Sequence, residues 1–129
     1  MTGSPNFTDR FYTAYCWVGV AFGAAMVLTS RPFLRAYNFD DHSAESLHLT
    51  RLTGTRTATL GVVGLLATSP ADRRRAATAV LVWHTTDTVL GALSSRSITT
   101  RARITSTLTS AASATGAALY LQRSTTTAT

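Results

Sequence analysis

The sequence has no lysine, a single cysteine and few charged residues of either sign. Its twelve cationic side chains are all arginine, and charged residues make up 14% of the 129 residues, against roughly a quarter in ordinary soluble domains. Because Cys16 is alone, the chain can form neither an internal disulfide nor a zinc site built on cysteines. The scarcity of charge and the long uncharged runs favour a chain that lies in lipid rather than in water.

The motifs of several common enzyme classes are also missing. The sequence contains no GxSxG segment, Walker loop, glycine-rich dinucleotide fingerprint or HExxH segment, so hydrolase, nucleotide-binding and zinc-protease functions have no support. Acidic residues occur at 40, 41 and 45, but His42 and His48 are six residues apart and therefore lie on different faces of a helix. Acidic residues at a helix start usually act as caps. We therefore expect neither a metal nor a cofactor.

The net charge of +6 raises nucleic acid as a partner, because clustered cations release counterions from a phosphate backbone. The positions of the arginines favour a different partner. Most of them lie at the edges of apolar runs, as Arg10 and Arg31 do around the first run, where they can pair with anionic headgroups while their stems lie along apolar surface. We therefore expect the chain to contact membrane lipids and to bind no nucleic acid.

Four apolar runs predict an all-α fold, a four-helix integral membrane bundle with antiparallel up-down topology. The predicted spans are 11–30, 52–69, 76–95 and 104–122. The first run is twenty residues without a charge, which matches the ~20 residues that a helix needs to cross ~30 Å of hydrocarbon. The polar connection 31–51 is expected to lie at the interface, and the whole chain forms one domain. The predicted location is the cell membrane with several passes, and the arginine distribution leaves the orientation open.

Prolines and basic segments set the predicted helix ends. Pro32 pushes Arg31 out of the helical region, which ends the first helix near that point. Pro70 ends the second helix, and the basic segment 72–75 is predicted to form a tight turn before the third. A start of the second helix near Ser43, ahead of its apolar part, also fits the sequence.

Small residues fall at the spacing that lets helices approach closely. Gly19 and Gly23 form a GxxxG pair on the first span, and Gly61 with Gly64 marks the second. Two interpretations stay open, since the same chemistry serves antiparallel packing within one chain and formation of a homodimer through Gly19 and Gly23.

The third span carries the ionisable residues that most favour a function. Asp87 is about the twelfth residue of that span, so at about 1.5 Å per residue it lies roughly 16 Å deep, near the bilayer centre. A central aspartate costs about 2.5 to 3.5 kcal/mol on insertion scales, so we expect Asp87 to face protein. His84 and Thr88 lie on the same helical face. A carboxylate and an imidazole in a low dielectric can exchange a proton with each other or with a ligand.

Arg56 on the second span is the predicted counter-ion of Asp87, and a surface position with its guanidinium in water is the competing interpretation. Three residues share one face of the first span: Tyr12, Tyr15 and Met26. We predict that these residues and Thr88 bind substrate in a cavity beside Asp87. Packing alone would produce the same stripe. The polar residues as a group are either a proton-transfer centre or a buried network that fixes helix register.

Three features follow one another in an order that resembles the DoxX-like small bacterial membrane proteins. These are the Arg31-Pro32 pair after the first helix, the segment 51–56, and Asp87 on the third helix. The resemblance covers about residues 11–121. It implies a four-helix membrane fold, and many members of such families have no assigned activity.

Two functions therefore stand as hypotheses. The first is a small integral membrane enzyme that acts on a lipophilic small molecule, of polyketide or terpenoid type, by acid/base isomerisation or cyclisation. Asp87 is its predicted acid or base, His84 relays or orients the proton, and Arg56 stabilises negative charge or holds Asp87 ionised. The alternative is a non-catalytic membrane accessory subunit or small transporter whose polar network is structural.

Overall fold

The computed structural model describes residues 7–93 and 99–126, and these residues form helices and short connections. The helices are α1 (Phe7–Leu28), α2 (Ser30–Ala36), α3 (Ala44–Leu66), α4 (Pro70–Leu93) and α5 (Thr100–Thr126). No strand occurs within the described ranges, so the prediction of an all-helical chain is confirmed. The last two residues of the third predicted span, 94 and 95, lie outside the described residues.

The four long helices form two closely packed pairs, α1 with α3 and α4 with α5. In the first pair, Gly23 lies against the backbone of Gly54 and Ala58, and a Cβ added at Gly54 would lie 2.6 Å from the Cβ of Met26. Small residues thus bring two backbones into direct contact, as in other membrane and soluble helix pairs. The surface of α1 that carries Gly19 and Gly23 is occupied by α3 of the same chain.

Side chains at one end of the bundle join the two pairs. The rings of Tyr12 of α1 and Tyr120 of α5 contact each other at a tilt of 38°, with centroids 4.6 Å apart, and both belong to a buried cluster with Cys16 and Ala77. Farther along α1, Tyr15 donates to the carbonyl of Ser113. Residue numbers therefore rise along α1 as they fall along α5, so the two helices are antiparallel. Beyond this cluster, Arg73 forms an ion pair of 2.6 Å with Asp9. The pairs are therefore fixed together at the end that holds the start of α1.

The predicted helix end at Arg31 and Pro32 is wrong. The chain leaves the helical conformation at Thr29, whose φ is −123°, and Arg31 and Pro32 are both part of α2. The hydroxyls of Thr29 and Ser30 donate to the carbonyls of Ala25 (2.7 Å) and Met26 (2.8 Å) at the end of α1, and such bonds favour a bend in a helix. The same bond at Thr57 leaves α3 continuous, so it is not by itself the cause of the break. Proline is tolerated in the first turn of a helix, where the backbone N–H has no helical acceptor. The polar connection therefore contains a helix that the sequence pattern did not predict.

The predicted tight turn at 72–75 is also helical. Pro70 begins α4 instead of only ending the preceding helix. The hydroxyl of Ser69 accepts from the backbone N–H of Asp72 (3.1 Å) and donates to its carboxylate (2.6 Å), which is a capping arrangement for a helix start. The bond from Ser69 holds the pKa of Asp72 below its ordinary value.

The start of α3 near Ser43 agrees with one of the two predicted starts. Ser43 caps the helix by accepting from the backbone N–H of Ser46 at 3.2 Å. The carboxylate of Asp41 accepts from the hydroxyl of Ser46 and from the backbone N–H of Ser43 (2.8 Å). These bonds lower the pKa of Asp41, so this acidic group serves the helix start.

Hydropathy distinguishes α1 from the other long helices. Among the described helices, α1 alone is long and apolar enough to be a candidate membrane span. The threonines, serines and arginines of α3, α4 and α5 lower their hydropathy, so hydropathy gives no support to several passes. All four long helices nevertheless expose large apolar side chains on the outside of the bundle, among them Trp17, Leu66, Leu93 and Leu108.

Candidate ligand cavity between the helix pairs

A cavity of about 980 Å³ lies between the α1/α3 pair and the α4/α5 pair. Its volume is at the upper end of the range of about 300 to 1,000 Å³ that is typical of small-molecule sites. The buried cluster around Tyr12 and Tyr120 lies at one end of it, and α2 with the following loop lies at the other. The wall is mostly apolar, with contributions from Phe22, Met26, Leu60 and Val80.

His84 and Asp87 are the ionisable residues that α4 contributes to the wall. They are three residues apart on one helix, which places both side chains on the same face. The imidazole Nδ1 of His84 is buried and has no hydrogen-bond partner within residues 7–93 and 99–126. A buried polar atom without a partner is costly and marks a position for a ligand or a water molecule. The two groups can therefore meet a polar atom of a bound molecule together.

Hydroxyl groups of α5 line the cavity opposite α1. They belong to Ser106, Thr109, Ser110 and Ser113. Ser106 and Thr109 donate to the carbonyls four residues earlier, at 2.8 Å and 2.9 Å, so their donors are already used within the helix. These two hydroxyls therefore have no donor left for a ligand, although the composition of the wall is polar.

Aromatic rings cover the end of the cavity at α2. Phe33 and Tyr37 stack with centroids 4.4 Å apart, and Phe22 meets Phe33 edge to face at 5.3 Å. The hydroxyl of Tyr37 forms a hydrogen bond of 3.1 Å with the hydroxyl of Thr109 on α5. The end of α2 is thus attached to the far helix pair, and the rings present an apolar surface to the cavity.

The cavity contains some of the residues predicted from the sequence and leaves out others. Those that line it are Tyr15, Met26, His84 and Asp87. Tyr12 lies outside the cavity wall, in the buried cluster at one end of the cavity. Its hydroxyl donates to the carbonyl of Gly64 at 3.1 Å. Thr88 donates to the carbonyl of His84 at 2.6 Å and is not part of the wall. Tyr12 and Thr88 are therefore placed to support the site rather than to contact a ligand.

Arg56 is exposed, as the surface interpretation predicts, and it also contacts an aromatic ring. Its guanidinium lies over the ring of Trp83, 4.1 Å from the centroid, and no hydrogen bond or ion pair joins it to Asp87 in the part of the chain that the structure describes. Cation–π contacts of this kind are attractive at such distances. Trp83 precedes His84 by one residue and therefore lies on a different face of α4, which is why the sequence pattern did not predict this contact.

Chemically, the cavity can hold an apolar molecule and present a carboxyl group and an imidazole to one side of it. No group of three potential metal-ligating side chains occurs in the described ranges. Comparison with protein family models, with curated proteins and with solved structures finds no match for the chain. The chemistry of the cavity wall therefore carries the functional proposal.

Proposed function

We propose that the chain is a small membrane-embedded protein that binds a lipophilic small molecule between its helix pairs and transfers a proton through Asp87 and His84. The observation that carries this proposal is the cavity of about 980 Å³ with these two groups on one apolar wall. Apolar surroundings favour a lipophilic ligand, and a few convergent polar groups fix its orientation.

The proposed chemistry is an acid/base isomerisation or cyclisation that needs no cofactor. Asp87 as a carboxylate removes a proton from a carbon next to a carbonyl group, and the electron pair moves onto the carbonyl oxygen. A proton on Nδ1 of His84 bonds to that oxygen and stabilises the negative charge.

The substrate also carries a carbon–carbon double bond one bond beyond the deprotonated carbon, so the anion is a dienolate. The electron pair then returns from the oxygen through the conjugated system, and Asp87 gives the proton to the far carbon of the original double bond. The double bond moves into conjugation with the carbonyl group, and no oxidant or reductant is consumed. Polyketide and terpenoid carbonyl compounds meet these requirements.

Arg56 has a different place in this proposal from the one that the sequence suggested. Because its guanidinium lies over Trp83, it holds α3 against α4 beside the cavity. It is a positioning residue, and Asp87 and His84 are the proposed catalytic residues.

The distribution of apolar side chains supports a bundle that lies in the membrane with several passes. Large apolar residues are exposed on all four long helices, whereas α1 and α3 meet at glycines, where a side chain would clash with the opposite helix. Lipid stabilises such an exterior, and water does not. The antiparallel arrangement of four long helices is also what the resemblance to the DoxX-like membrane proteins implies, and we retain that resemblance as part of the proposal.

Deuterium exchange tests the proposed reaction whatever the product turns out to be. The purified chain in lipid nanodiscs is incubated in D2O with polyketide and terpenoid carbonyl compounds, and mass spectrometry measures deuterium at carbon. We expect Asp87→Asn to lower the exchange rate by about 100-fold or more, because general acid/base groups contribute at least that much. Asp72→Asn is the matched control, since Asp72 lies on the same helix outside the cavity.

Exchange that survives in Asp87→Asn at the wild-type rate would remove the proposed catalytic role. A compound that binds tightly but never acquires deuterium would favour the non-catalytic alternative, a small transporter or accessory subunit.

A further inference from the structure

Several residues line the cavity and are also exposed on the outside of the bundle, and they form two groups. The first group is mostly polar and lies in the loops and at the start of α3: Asp40, Asp41, Leu49, Thr53 and Thr99. The second group is apolar, lies on α1 and α5, and marks where the cavity opens sideways. On α1 this residue is Val18, which is 65% exposed. On α5 the residues are Leu108, which is 64% exposed, and Ala112, which is also exposed. The three side chains are apolar and belong to two helices that are not a closely packed pair.

The contacts between α1 and α5 place these residues at similar levels of the bundle. Tyr15 donates to the carbonyl of Ser113 at 2.7 Å, and its ring lies against Gly116. In antiparallel helices Val18 therefore lies level with the stretch 110–113, which contains Ala112. Phe22 lies level with the stretch 106–109, which contains Leu108. We name this group, Val18, Phe22, Leu108 and Ala112, the α1/α5 opening. It lies along the side of the bundle that faces lipid in the proposed membrane arrangement.

Two hydrogen bonds lie along the α1/α5 opening. The bond from Tyr15 to Ser113 lies on the side of the buried cluster. The bond between Tyr37 and Thr109 lies on the side of α2, between Leu108 and Ala112 in the sequence of α5. Apart from the bond of Tyr15, no hydrogen bond joins α1 to α5 along this opening in the described part of the chain, so side-chain packing alone closes the rest of the opening between these two helices.

The seam between α3 and α4 differs from the α1/α5 opening. Arg56 lies across it on Trp83, and the residues that α4 contributes to the cavity wall, Val80, His84 and Asp87, are all only partly exposed. A guanidinium with its bound water is a poor surface for an apolar molecule to cross.

We propose that the α1/α5 opening is the entrance through which a lipid-dissolved ligand passes directly from the bilayer into the cavity. This inference rests on the proposed function, because it takes the cavity as the ligand site and the exterior as lipid-facing. It assigns the substrate to molecules that are stored in the membrane rather than delivered from water. Val18, Leu108 and Ala112 control the rate of entry, and His84 and Asp87 act on the molecule afterwards.

Larger side chains at the entrance test this proposal, because they should slow the entry and exit of a ligand without changing its affinity for the cavity. Full-length chain in phosphatidylcholine nanodiscs is mixed with Nile red in a stopped-flow instrument, and the signal of empty nanodiscs is subtracted. We expect Ala112→Trp to slow association and dissociation equally, each by about tenfold, with an unchanged Kd, whereas substitutions in a binding surface usually act through dissociation. Leu108→Trp is a second variant with the same expectation. Leu119→Trp is the control, because Leu119 is exposed on α5 and does not line the cavity.

Each outcome of this experiment decides a different point. Equal slowing in Ala112→Trp and Leu108→Trp, with no slowing in Leu119→Trp, supports the entrance. Rates equal to those of the wild type in both variants would overturn the entrance and leave the proposed function intact. A changed Kd with an unchanged association rate would also overturn it, since these residues would then belong to the binding surface. Failure of the wild-type chain to bind Nile red above empty nanodiscs would overturn the proposed function, and the entrance with it.

Discussion

Replacement of Gly23 by alanine should destabilise the bundle by about 1–3 kcal/mol, the usual cost of forcing a methyl group into a packed contact. A Cβ at this position would meet the backbone of Gly54 and Ala58 at distances that real Cβ atoms do not adopt. Backbone cannot rotate out of the way as a side chain can, so α1 and α3 must move apart. The cavity wall that these helices form should then widen.

Gly19 provides the matched control on the same helix. The nearest atom to a Cβ there is the Cα of Gly61, at 3.8 Å, which is ordinary van der Waals contact. Gly19→Ala should therefore change the free energy of unfolding by less than about 1 kcal/mol, in the stabilising direction, because alanine is the better helix former. Unfolding by SDS in mixed micelles, followed by circular dichroism, measures both variants. Equal effects at the two glycines would contradict the packing of α1 on α3.

Truncation of Tyr120 to alanine should be the most destabilising single change, at about 3–5 kcal/mol. Tyr120 is 4% exposed, contacts the ring of Tyr12, and belongs to the cluster that joins the two helix pairs. Its loss leaves a void next to the cavity and removes an aromatic contact between α1 and α5. The same SDS titration measures the loss.

The neighbouring Leu119 is the reference for this change. It is 43% exposed and lies outside the buried cluster, so Leu119→Ala should cost less than about 1 kcal/mol. If Tyr120→Ala were as stable as Leu119→Ala, the cluster around Tyr12 and Tyr120 would not be what fixes the two pairs together.

The four long helices are predictable from the sequence because hydropathy and helix length depend on local composition. Their ends are less predictable, because the ends depend on capping. Ser69 caps the start of α4, and the hydroxyls of Thr29 and Ser30 bind carbonyls of α1 at the break before α2. The prolines at 32 and 70 resemble stops in the sequence, yet both lie in first turns, where proline is well tolerated.

The candidate site is only partly predictable for a different reason. His84 and Asp87 lie on one face at a spacing that any helix would give, so the sequence places them together. The cavity itself depends on the distance between the two helix pairs. The residue pattern within a single helix does not predict that distance. The contact of Arg56 with Trp83 does not follow from charge pairing, because an aromatic ring attracts a cation without carrying a formal charge.

The proposed function requires that the exterior of the bundle faces lipid around the cavity that holds Asp87, and extraction of membranes with alkaline carbonate can show whether it does. Cells that express the chain are broken, and the membranes are washed at high pH and sedimented. The chain should remain in the membrane pellet and enter solution only with detergent, because its exposed apolar side chains need lipid or a substitute for it. Recovery of a folded, monodisperse chain in the carbonate supernatant or in buffer without detergent would contradict a lipid-facing exterior.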